Sequence, residues 1–205
     1  MSTTTTTAAS KASGAAAAPG TTVAAAAAGD IPSGPIKLGF TATLSGPYAA
    51  YGLAAQAAWG VVVKWFNATY PDGIAGHPIE VDFRDAGSTT ATGVAAAQQL
   101  VADHVAAIVL SSATSTIATA QEAVWSQAKI PQIVDQPALD EYTDGTKWPY
   151  VFETIPADNA LATTAAKWLA TQTAIKRIGI LESGATQQTE YVADFKKALA
   201  SVDPG

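Results

Sequence analysis

The chain has 205 residues, of which 48% are hydrophobic and 14% charged, with a formal net charge of -6; this leaves enough apolar material for a core, although much of it is alanine, which buries little area per residue. The acidic balance and the scattering of the 11 Lys and Arg residues exclude a nucleic-acid backbone or an anionic membrane surface as the main partner. The absence of cysteine excludes disulfides, a thiolate nucleophile and cysteine-based metal sites, and no apolar run reaches the roughly 18 residues a bilayer span needs.

Residues 1 to about 34 are nearly all Ala, Thr, Ser, Gly and Pro, a composition that cannot offset its ordering entropy by burial, and they are read as a disordered tether. From Pro35 onward, strand-like and helix-like patterns alternate, as in βαβ units with a mostly parallel sheet. Ile36 to Phe40 is the first strand. Ala54, Ala58, Val61, Val62 and Trp65 recur at the spacing of one buried helix face, and Pro71-Asp72-Gly73 ends that helix. Ile79 to Phe83 is a second strand. Thr89 or Thr90 caps a helix carrying Val94, Ala97 and Val101, and Val105 to Leu110 is an apolar run typical of a strand covered on both sides. A third helix carries Ile117, Ala120, Val124 and Ala128, and Gln132 to Val134 follows as a short strand. A fourth helix buries Leu161, Ala165 and Trp168. Ile178 to Leu181 is a further strand, and a last helix presents Val192, Phe195 and Leu199.

Several residues invite a chemical reading and are better explained otherwise. His77 and His104 have no second ligand at metal-binding spacing, and both are expected at the surface. Asp82 and Asp85 suggest a carboxylate pair, but the strand exit and the nearby helix cap favour a structural role. The sequon Asn67-Ala68-Thr69 falls inside a helix. Trp65 and Trp168 are assigned to core packing, while Trp59, Trp125 and Trp148 stay open. An enzyme on a doubly wound sheet is opposed by the absence of a Gly-x-Ser-x-Gly elbow, a Gly-x-Gly-x-x-Gly loop or a phosphate-binding loop. No cofactor or metal is expected.

The order of elements, with Leu44 to Gly52 after the first strand, Asp72 to Val81 leading into the second and Ile108 to Ser112 ending the third, resembles the type I periplasmic binding fold of the branched-chain amino acid binding family. The resemblance runs from about Ile36 to the end. It implies an α/β fold with a doubly wound, mostly parallel sheet: a first ligand-binding lobe over residues 35–154 and the start of a second over 155–205, with more chain expected to complete both. In such sheets ligands settle at the carboxyl ends of strands, where helix N-termini offer free N–H groups. The expected ligand contacts are Tyr51, Ser111, Ser112, Ala113, Thr114, Asp135, Gln136 and, in the second lobe, Gln187. Asp135-Gln136 and Gln187-Gln188 depart from the family's usual small residues and ligand-stacking tyrosine. The ligand is therefore expected to be an amino acid, an amide or a similar small polar molecule. The resemblance further implies an extracytoplasmic, non-enzymatic protein partnered by an ABC transporter permease, with no nucleic acid and no membrane contact beyond a possible lipid anchor on the tether. The alternatives are a ligand-sensing receptor domain or an amide-responsive regulator.

Overall fold

A short apolar strand feeding a helix that folds back over it can pair with the next strand only in parallel, and this unit repeats along the chain. The computed structural model describes residues 34–110, 114–134 and 138–202, and the residues from Gly34 onward form one compact unit. The elements are β1 (Ile36–Ala42), α1 (Ala49–Thr69), β2 (Ile79–Asp85), α2 (Thr90–Ala102), β3 (Ala107–Leu110), α3 (Ser115–Gln127) and β4 (Gln132–Val134). A 3-10 turn over Asp140–Thr143, β5 (Val151–Glu153), α4 (Asp158–Ala170) and α5 (Thr186–Val202) complete them. The pairings within the sheet are parallel, in the order β2-β1-β3-β4-β5. The expected α/β class and parallel sheet are both present.

Local chemistry explains the element ends. Thr89 caps α2 through a reciprocal box with Thr92, which satisfies otherwise orphaned N–H groups of the first turn. Gly93 lets α2 approach α3, since a Cβ there would lie 2.3 Å from Ile117. On that side of the sheet, Ala97, Leu100, Val105, Ile108 and Trp125 form the core. On the other side, Phe40, Ala42 and Val109 pack with Ala55 and Trp59 of α1. This cover is partial, because Ile133 of β4 and its neighbour Phe152 of β5 are exposed.

Four expectations are corrected. The helix face Ala54, Ala58, Val61, Val62, Trp65 is the exposed one, and α1 turns Gly52, Ala55, Trp59 and Phe66 inward instead. An almost wholly apolar helix gives periodicity little to choose between, and the small residues that allow close approach to the strands decide the face. In α4, Ala162 and Ala166 are buried against Phe195, so Leu161 and Trp168 turn outward. Trp65 and Trp168, at 57% and 59% exposure, are not core residues, whereas Trp125 and Trp148 are. Ile178 to Leu181 is not a strand: among the described residues none pairs with it, and Leu181 is exposed. An apolar tetrad becomes a strand only when a neighbour takes its backbone hydrogen bonds.

Two further residues have roles that periodicity does not reveal. Asn67 reaches from α1 to both backbone groups of Ile79 at 2.8 and 3.0 Å, fixing helix to strand. Arg84 joins Asp82 at 3.0 Å and Asp103 at 2.7 Å, and shares a strand face with Asp82 two residues before it. Among the described residues, no helix is long and apolar enough to cross a membrane.

Candidate functional site

The sheet order places its reversal between β1 and β3, and the crevice outside the carboxyl ends of those strands is where ligands bind in open parallel sheets. Two parts of the chain face it: the segment 43–48 after β1, and the start of α3 after β3.

The first segment is tightly built. Asp85 at the end of β2 accepts hydrogen bonds from the N–H groups of Leu44 at 2.9 Å and Gly87 at 2.8 Å. Partial loss of water around it opposes ionisation, but bonds from Ser45, Gly87 and Leu44 outweigh that and hold its pKa below the ordinary aspartate value. Gly46 sits at φ 81, a conformation that favours glycine. Gly52 lets the first turn of α1 press onto the loop, since a Cβ there would lie 2.1 Å from the Thr43 carbonyl. Next to it, Tyr51 is 72% exposed, its ring facing solvent from the start of the helix.

The second part is the start of α3, at Ser115. Thr114 is its N-cap residue, yet its side chain makes no capping bond, and its buried Oγ1 has no hydrogen-bond partner. Ser115, buried, accepts a bond at Oγ from the Gln187 N–H at 3.4 Å. Thr116 and Thr186 share a hydroxyl contact at 3.4 Å. The Gln187 amide donates in turn to Oδ1 of Asp158, at the first turn of α4, at 3.2 Å. The N-termini of α3, α4 and α5 thus meet through Ser115, Gln187 and Asp158, and their dipoles favour negative charge at this point.

Beneath the helices lies a buried polar layer. Thr41 donates to Gln121 at 3.1 Å, and Gln121 donates to the Gly93 carbonyl at 3.0 Å. Tyr142 donates to the buried carboxylate of Glu122. Burial first, then the Glu122 charge, pushes the Tyr142 pKa far up, so the phenol stays protonated. Hydroxyls, amides and helix N–H groups in such a setting can hold a small polar or anionic molecule; no nucleophile with an adjacent base is assembled among the residues named above.

Of the residues expected to contact a ligand, Thr114 and Gln187 are brought together around Ser115, while Tyr51 stands at the start of α1. Ser111, Ser112, Ala113, Asp135 and Gln136 lie outside the described residues. Sequence reasoning missed Ser115 and Asp158. Pro156 followed by an acidic residue at a helix start was the available signal for Asp158.

A parallel sheet with its reversal at a polar crevice ringed by helix N-termini defines a ligand-binding α/β domain. The sequence matches the periplasmic binding protein family over residues 35–204, and the chain belongs to that family. Among solved structures it is similar to an ABC-transporter solute-binding protein from R. palustris in complex with 4-hydroxybenzoate, at 27% identity and TM-score 0.68, covering 82% of this chain and 44% of that one. It is also similar to the branched-chain amino acid transporter substrate-binding protein LivJ from Streptococcus pneumoniae in complex with isoleucine, at 27% identity and TM-score 0.66, covering 80% of this chain and 46% of that one. The chain therefore spans less than half the length of these structures. No curated protein matches it.

Proposed function

We propose that this chain forms the ligand-capturing part of an extracytoplasmic solute-binding protein that delivers a small polar molecule to an ABC importer. The observation that carries the reading is the junction of three helix N-termini through Ser115, Gln187 and Asp158 at the crevice outside β1 and β3. Residues 35–154 supply the first ligand-binding lobe and 155–205 the beginning of the second, and ligand bridging the two biases a hinge toward the closed state. Tyr51 packs on the ligand's apolar part. Ser111, Ser112, Ala113 and Thr114, with the free N–H groups of α3, hold its carboxylate or carbonyl, and Asp135, Gln136 and Gln187 close over it. The two similar structures contain isoleucine and 4-hydroxybenzoate, both carboxylates, which supports an acid-binding crevice. Residues 1–34 act as a tether, lipid-anchored at the membrane, and a permease is the macromolecular partner. The protein performs no chemistry on its cargo.

The test is isothermal titration of the protein, expressed at the full length its gene encodes, with isoleucine, 4-hydroxybenzoate, an aliphatic amide and urea. Saturable binding of one class, with the compound recovered unchanged and affinity lowered at least tenfold by Thr114→Val, supports the reading. Conversion of any compound, or no binding by any of them, overturns it.

A further inference from the structure

Below the crevice, α5 carries Gln187, Glu190 and Asp194 on one face, at positions i, i+3 and i+7. Gln187 points to the crevice, and the two carboxylates point to the turn that begins at Asp140. The carboxylate oxygens of Asp140, Glu190 and Asp194 all lie within 4.8 Å of one another. Three oxygens this close together can share one divalent ion that takes oxygen ligands at about 2.3–2.6 Å. The group is held in place by backbone: Asp140 accepts from the Asn159 N–H at 2.9 Å, and Glu190 accepts from the Asp140 N–H at 3.3 Å.

A second observation points to a cation. Asp158 is 1% exposed, and although its Oδ1 is bonded to Gln187, its Oδ2 has no hydrogen-bond partner. Asp194 Oδ2 and Glu153 Oε1 are likewise buried and without a partner. Asp158 directly precedes Asn159, whose N–H is bonded to Asp140, so it stands beside the group at the start of α4. Lys197 is the one positive charge acting on Asp194. None of the ion pairs among the described residues involves these carboxylates. Five acidic side chains converge with a single lysine against them, and buried carboxylate oxygens of this kind call for a counter-charge.

We propose that Asp140, Glu190 and Asp194, backed by Asp158, form a binding site for a divalent cation of the calcium class that ties α4 and α5 to the turn at Asp140–Thr143. The ion replaces mutual repulsion by shared coordination between α5 and the turn at Asp140, and it acts one helical turn below Gln187. It stabilises the crevice wall without touching the cargo, and it stands whichever molecule the crevice takes.

The test uses the protein at the full length its gene encodes, freed of metal by a chelator, at pH 7.5. Calcium chloride at about 10 mM is expected to raise the melting temperature by about 4 °C or more, whereas sodium chloride at equal ionic strength is not. Asp194→Asn is expected to melt higher than the parent in chelator, because a repulsive charge is gone, and to lose at least tenfold in calcium affinity by titration calorimetry. Glu190→Gln, at a half-buried helix position, carries the same test if the first variant fails to fold. No calcium shift in the parent chain, an equal shift with sodium chloride, or calcium affinity unchanged in the variant overturns the proposal.

Discussion

Replacing Asp85 by alanine tests the loop that opens the crevice. One oxygen of this carboxylate receives the N–H groups of both Leu44 and Gly87, so it ties the exit of β1 to the exit of β2. Hydrogen bonds to a charged acceptor contribute about 1.5–3 kcal/mol each when well shielded. Asp85 is exposed, and water takes over part of each bond once the carboxylate is gone, so the two together are expected to contribute about 2 kcal/mol. Urea unfolding followed by the fluorescence of buried Trp125 should show a lower midpoint with an unchanged slope, since the same surface is exposed on unfolding. Asp85→Asn keeps the acceptor oxygen and loses the charge, and should lose about half as much. In the parent chain this contribution fades as pH falls through the lowered pKa of Asp85, because protonation there removes the charge the bonds favour. An alanine variant with an unchanged midpoint, or an asparagine variant as unstable as the alanine one, would refute the assignment.

Three further outcomes are expected. Gly93→Val forces a side chain into Ile117 where α2 and α3 touch and should destabilise the fold by about 2 kcal/mol or more, read by chemical denaturation. Tyr142→Phe removes the phenolic donor to buried Glu122 and should cost about 1–3 kcal/mol in the same assay. Glu153 is pushed up to about 7, first by burial and then by Asp140, Asp158 and Glu190. Between its unfolded value near 4.5 and that point, the folded chain binds more protons than the unfolded one. In chelator, stability should therefore fall as pH rises across this window, by on the order of 1 kcal/mol after solvent screening is allowed for; a flat or rising melting temperature from pH 5 to 7 would contradict it.

The sequence was most legible where a local pattern and its punctuation agreed. Thr89 before an amphipathic run, Pro71-Asp72-Gly73 after one, and the apolar stretch ending at Leu110 each marked an element that the structure contains. Faces were harder to read than elements. In α1 nearly every position is apolar or small, so which side packs depends on where Gly52 and Ala55 can approach the strands. The same holds for Ala162 and Ala166 in α4. The 3-10 turn and β5 escaped notice because Tyr142, Trp148 and Val151 join one core cluster without any period. Thr114 and Gln187 could be named from a family pattern, but Ser115 and Asp158, which join them, could not. The acidic group was invisible for a plainer reason: Asp140, Asp158, Glu190 and Asp194 come from three elements, and no spacing along the chain announces that they meet.

The sheet order also carries a consequence for how the chain is made. β1 and β2 can pair as soon as α1 has emerged, and every later strand joins at one growing edge: β3 beside β1, β4 beside β3, β5 beside β4. Assembly can thus keep pace with synthesis, each new strand docking on a neighbour already in place, so that loop closure stays short throughout. At each stage the advancing edge is open to pairing with a stranger, and so is the outer edge of β2, so a ribosome or chaperone beside the growing sheet would need to shield both.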